Sequence, residues 1–198
     1  NVGDGWRDMW IQRLKGSGLW LKNWLEHQTR DAFWTHGSIC EDWSKIQIPV
    51  YAVSGWADGY CRSVFRLMQN LQGPKKGLVG PWAHRYPHIG QPGPAIDFLA
   101  EEVRWFDHWL KGKATGIMDE PQLRLFQQDS VSPQGHYDVR PGHWIAEPSW
   151  PSPNVSRSDF YLGADGSLSS ETPDAAVTFT HMSAADVGML SGKWCAYS

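Results

Sequence analysis

Apolar residues recur at helical spacing in the first part of the chain. Trp6, Met9, Trp10 and Leu14 fall at steps of 3, 1 and 4, and Leu21, Trp24 and Leu25 repeat the pattern beyond Gly16–Ser17–Gly18. Two short helices parted at that break are predicted. The pattern then becomes a β-branched and aromatic run, "IPVYAVSGW", behind Pro49, which suits a short central strand. "CRSVFRLMQNLQ" carries Val64, Phe65, Met68 and Leu71 on one side, predicting a helix ended by Gly73–Pro74. "KKGLVGPW" is a second short buried strand, broken at Gly80–Pro81. After a loop rich in Pro and Gly, Leu99, Val103, Phe106 and Leu110 fall at steps of 4, 3 and 4, in a helix closed by Gly112. The charged Glu101, Glu102, Arg104 and Asp107 of that helix read as its solvated face.

Strand, helix, strand, loop, helix is the order of the last third of a parallel α/β sheet. After Gly116 the texture changes. "PQLRLFQQ", "GHWIAEPSWPSP", "SDFYLGADGSLSS" and "AAVTFTHM" are short strand candidates divided by turn residues, as in an antiparallel β-sandwich. The boundary is expected between residues 113 and 120, and no internal repeat is visible.

Composition narrows the function classes. The 198 residues are 20% charged and 41% hydrophobic with a net charge of −3, enough for a buried core and too neutral to attract nucleic acid. No apolar run approaches the roughly 18 residues of a membrane span. The odd number of cysteines, Cys40, Cys61 and Cys195, argues against a disulfide framework and leans toward a reducing, cytoplasmic setting. The 13 tryptophans are spread along the chain and are expected mostly to pack, with a few lining a pocket. The chain opens at Asn1 without an initiator Met and stops in "GKWCAYS", so it is expected to be an internal piece of a longer protein.

In open α/β sheets, chemistry gathers past the carboxyl ends of the strands. Asp58 follows the first predicted strand and His84 the second, 26 residues later. Neighbouring parallel strands joined by one crossover helix would bring both to one edge, where a carboxylate could fix the imidazole tautomer and stabilise the imidazolium. The plainer alternatives stand beside this: an Asp in a glycine-flanked turn often caps the next helix, and a His in a Pro/Trp-rich loop often simply packs. The other histidines are scattered, His88 follows His84 in a proline-containing loop, and the acidic residues show no calcium-loop spacing. No metal or other cofactor is expected.

"IPVYAVSGWADGY", "KKGLVGPWAHR" and "EVRWFDHWLKGKATGIMDEPQLRLF", in this order, resemble the CocE/NonD hydrolases. These are the cocaine-esterase-like acyl esterases, α-amino-acid ester hydrolases and X-Pro dipeptidyl-peptidases. "WLEHQTRDAFWTHGSI" resembles the end of that family's helical cap, and "WPSPNVSRSDFYLGADGSLSS" and "GMLSGKWC" the start of its jelly-roll domain. The resemblance implies an α/β fold in three parts: the end of the cap at 1–44, the C-terminal part of an α/β-hydrolase core at 45–116, and the start of a β-sandwich at 117–198. It implies a serine hydrolase, with Asp58 as triad acid, His84 as triad base and Tyr60 bordering the acyl pocket. The substrate would be a small ester, amide or peptide, and a homodimer of the full-length protein is allowed. No serine here lies in G-x-S-x-G; Ser54 ends the first strand and Ser63 begins the next helix. The nucleophile is therefore expected before residue 1, and this piece alone is expected to be inactive. Two alternatives are a pseudo-hydrolase and a carbohydrate-binding sandwich that stacks sugars on Trp144 and Trp150.

Overall fold

In the computed structural model, which describes residues 2–176 and 178–189, the chain divides into two compact units, Asn1–Lys45 and Ile46–Ser198. In the first, the predicted helices form as α1 (Trp6–Gly16) and α2 (Trp20–Glu26), followed by the short α3 (Ala32–His36). Asp31 caps α3, its carboxylate accepting the Phe33 N–H at 3.0 Å and meeting His27 Nδ1 at 2.5 Å. No residue of these helices is buried, and Trp6, Trp10, Trp20 and Trp24 are exposed.

The second unit is built on a four-stranded sheet of order β1-β2-β3-β4. β1 (Val50–Gly55) and β2 (Lys75–Gly80) are parallel and joined by α4 (Cys61–Asn70). Val64 and Met68 of α4 pack with Ala52, Val79, Leu123 and Leu125, each large side chain contributing roughly 1.5–3 kcal/mol by its removal from water. Gly77 is what allows so close an approach. A Cβ there would stand 2.6 Å from Leu123 Cδ1 and 3.1 Å from Met68 Cγ.

β3 (Leu123–Gln128) pairs parallel with β2, and β4 (Gly142–Glu147) antiparallel with β3. Both segments, expected as opening strands of a sandwich, thus extend the α/β sheet. The reason lies in β3's two faces. Leu123 and Leu125 enter the core with α4, while Arg124, which looks like a solvent-facing residue, is only 28% exposed and is paired with Glu101 on the other face. A strand covered on both sides belongs inside a parallel sheet.

The helix α5 (Phe98–Lys111) is started by Asp97, which accepts the Ala100 N–H, and closed by Gly112 at φ 67°. Its orientation departs from the sequence expectation. Leu99, Val103, Phe106 and Leu110 point outward, at 53, 60, 51 and 76% exposure, while Phe98, Glu101 and Trp105 are buried. A polar network lies on the inward face beside Phe98 and Trp105. Tyr51 Oη donates to Glu101 Oε1 at 2.8 Å, and Arg124 bonds both Glu101 and, at 2.6 Å, the Tyr51 oxygen. Arg104 likewise bonds Glu120, and the buried Lys76 ammonium donates to Ile117 O at 2.6 Å and Glu120 at 3.2 Å. Burial pushes the Lys76 pKa down and that of Tyr51 up; Arg124 is raised against its burial by Tyr51 and Glu101.

Beyond Glu147 the described strands are β5 (Tyr161–Leu162) and β6 (Leu168–Ser169), an antiparallel pair. "AAVTFTHM" contains no strand among its described residues, and most of "GMLSGKWC", Cys195 included, lies outside them. Among the described residues no helix is long and apolar enough to cross a membrane, and no group of three or more His, Cys, Asp or Glu could hold a metal.

Candidate active site

β1 stops at Gly55 because the next strand's loop occupies the space a side chain would need. A Cβ at Gly55 would overlap the Trp82 carbonyl. Its φ lies outside the left-handed region, so close approach, not backbone freedom, is what demands glycine. The loop that follows is tied to its neighbour by Trp56 N–H to Gly80 O at 2.9 Å and Ala57 N–H to Trp82 O at 3.1 Å.

Asp58 then turns the chain into α4. Its N–H donates to Gly55 O at 3.0 Å, its carbonyl accepts the Cys61 N–H at 3.2 Å, and Oδ1 accepts the Tyr60 N–H at 2.9 Å. Oδ2 points the other way, to His84 Nδ1 at 3.1 Å. The two sequence-level alternatives, turn former and imidazole partner, are both true of one carboxylate. Parallel pairing of β1 and β2 in the register Gly55↔Gly80 sets the two loops side by side.

The Asp58 side chain is 11% exposed and that of His84 42%, so the acid is shielded while the ring reaches the surface. A carboxylate oxygen only accepts, so Nδ1 carries the proton and the basic lone pair falls on Nε2. Tyr60, largely exposed, holds its ring 5.7 Å from that of His84. A cavity of about 480 Å³ opens against the pair, lined by Asp58, His84, Arg85, Tyr86, Phe98 and Glu102 among others. Tyr60 is not in its wall. Ser54 is, and its buried hydroxyl has no hydrogen-bond partner.

The structure does not gather the other singled-out residues here. Ser63 lies within α4. Trp144 packs edge-on against Phe126 at 5.3 Å and Trp150 against Phe65 at 4.9 Å, in separate aromatic groups. Sequence periodicity does not mark Trp82, whose backbone joins the two loops. The available signal was its setting between Gly80 and Gly90, both of which touch its ring.

The site is thus an Asp–His pair at the ends of two neighbouring parallel strands in a mixed α/β sheet. Residues 4–86 match the model for "X-Pro dipeptidyl-peptidase (S15 family)", and residues 115–191 that for "X-Pro dipeptidyl-peptidase C-terminal non-catalytic domain". The chain is 24% identical to the cocaine esterase of a Rhodococcus species over 159 residues, covering 75% of this chain and 26% of that protein. It is 30% identical over 142 residues to a Mycobacterium bovis protein named as a serine esterase, covering 67% and 21%. Two crystal structures of a CocE/NonD family hydrolase from Staphylococcus aureus share the fold, with TM-scores of 0.57 and 0.59 at 19% identity, covering 75–78% of this chain and 25–26% of that one. The chain belongs with the CocE/NonD-type hydrolases. It spans about a fifth to a quarter of the length of these relatives.

Proposed function

We propose that Asp58 and His84 are the acid and base of a serine-type relay for acyl transfer, acting on an ester or amide, an X-Pro dipeptidyl amide among them. The observation that carries this is the 3.1 Å approach of Asp58 Oδ2 to His84 Nδ1. In this reading the nucleophile and the oxyanion-hole donors come from outside these 198 residues. Residues 1–44 are the end of a cap, 45–116 the last part of the catalytic core, and 117–198 the start of a jelly-roll whose first strands lie along the core sheet. Tyr60, whose ring lies 5.7 Å from that of His84, would border an acyl pocket on the side of the pair away from the cavity, whose wall it does not form.

Chemically, His84 Nε2 takes the proton of the serine hydroxyl as its oxygen bonds to the substrate carbonyl carbon. The imidazolium, held by Asp58, then protonates the departing alcohol or amine as its bond to that carbon breaks. Water repeats the cycle: it loses a proton to Nε2, attacks the acyl-enzyme and frees the acid, and the serine regains its proton. The test is kinetic. In a protein that includes this chain and its nucleophile, Asp58→Asn and His84→Ala should each lower kcat by about 10³- to 10⁶-fold. Retention of more than about a tenth of wild-type kcat by either variant overturns the assignment.

A further inference from the structure

We infer that Trp82 is the positioning residue of the Asp58–His84 pair: one side chain locks the base loop while its own backbone carries the acid loop. The inference rests on the proposed roles of those two residues and adds a third that the mechanism does not use.

Trp82 is 1% exposed and clusters with Leu78 and Phe98. Its indole N–H donates to Pro94 O at 2.8 Å. The ring lies directly on two glycines. A Cβ at Gly80 would stand 2.6 Å from its fused-ring carbons, and one at Gly90 would overlap its five-membered ring. The next residue, Ala83, donates its N–H to Gln91 O at 2.7 Å. The indole is thus pinned to the 90–94 loop at several points.

The backbone of the same residue faces the other way. Its carbonyl accepts the Ala57 N–H at 3.1 Å, one residue before Asp58, and sits where Gly55 leaves room for it. His84 follows two residues later, a span of at most about 7 Å. A displacement of the indole that shifts the Trp82 Cα therefore moves its carbonyl and the start of the His84 loop together, and changes the gap that the Asp58–His84 bond must close. Displacements of about 1 Å at such pairs are enough to cost about 10²-fold in rate.

The test is the tautomer of His84, read from the ¹⁵N resonances of its ring in the full chain with the ring neutral. Wild type should show one neutral tautomer, Nδ1 protonated, with two well-separated nitrogen signals. Trp82→Phe, which loses the Pro94 bond, should bring the two signals together toward those of an untethered histidine. Gly90→Ala should do the same without touching either loop residue. Position 90 has φ −65° and ψ 131°, ordinary for alanine, so the change acts only by pushing the indole. Leu78→Ala, from the same core cluster but with no bond to the acid loop, should leave the signals apart. The inference is overturned if both Trp82→Phe and Gly90→Ala keep the wild-type separation, or if Leu78→Ala loses it equally. A wild-type protein that itself shows no single tautomer removes the Asp58–His84 relay, and Trp82's role with it. A wild-type tautomer unmoved in the variants removes Trp82 alone.

Discussion

Asp58 and His84 stand 26 residues apart in the chain and 3.1 Å apart at their polar atoms. They stand on the loops after two neighbouring parallel strands whose last residues, Gly55 and Gly80, pair directly. The carboxylate does two jobs at once, capping its own turn through Oδ1 and meeting the ring through Oδ2.

Those two jobs separate by substitution. Asp58→Asn keeps an oxygen for the Tyr60 N–H but loses the charge that meets His84 Nδ1, and should cost about 0.5–1.5 kcal/mol. Asp58→Ala removes the turn bond to the Tyr60 N–H as well as the bond to His84, and should cost about 1–3 kcal/mol. Urea denaturation followed by tryptophan fluorescence reads both. Equal losses in the two variants would mean that the Tyr60 bond contributes nothing.

The burial of Glu101 on the inner face of α5 gives a second test. Glu101→Ala leaves Arg124 under the helix without its carboxylate. The loss should be about 2–4 kcal/mol, below the range of a fully buried pair because the Arg124 side chain is 28% exposed. Leu110→Gln, on the outward stripe of the same helix, should change stability by no more than about 0.5 kcal/mol. A costlier Leu110→Gln than Glu101→Ala would mean the helix is turned the other way.

Acid sensitivity follows from Glu120. Burial alone would raise its pKa, but hydrogen bonds and charge from Arg104 and Lys76 outweigh it and hold the carboxyl below its ordinary 4.5. The unfolded carboxyl therefore binds its proton at higher pH than the folded one. The stability this supplies is present above about pH 4.5 and is lost as pH falls through the folded value. The urea midpoint of Glu120→Gln should accordingly fall less steeply than that of wild type between about pH 5 and 3. Parallel slopes would remove Glu120 from the account.

Much of the site was legible because its signals are local. Strand residues running into Gly55 and Gly80, with Asp58 and His84 just beyond, follow from backbone sterics and from where parallel strands end. Local pattern also marked α1, α2, α4 and α5 and the breaks between them, since helical spacing and glycine or proline stops act within one turn of chain. Of the side expected to pack, Val64 and Met68 of α4 and Leu71 just beyond it are buried, while Phe65 is only partly so.

What tertiary structure alone decided are the choices between partners distant in sequence. The inward face of α5 meets Arg124 and Tyr51, 23 and 50 residues from Glu101, and the three close one hydrogen-bonded network that no local pattern records. The partner of β3 depends on whether α5 covers Arg124, which no alternation of apolar and polar residues encodes. The demand for glycine at position 55 comes from a carbonyl 27 residues further on. Periodicity records how a segment meets its surroundings on average; it carries no record of which single distant atom supplies them.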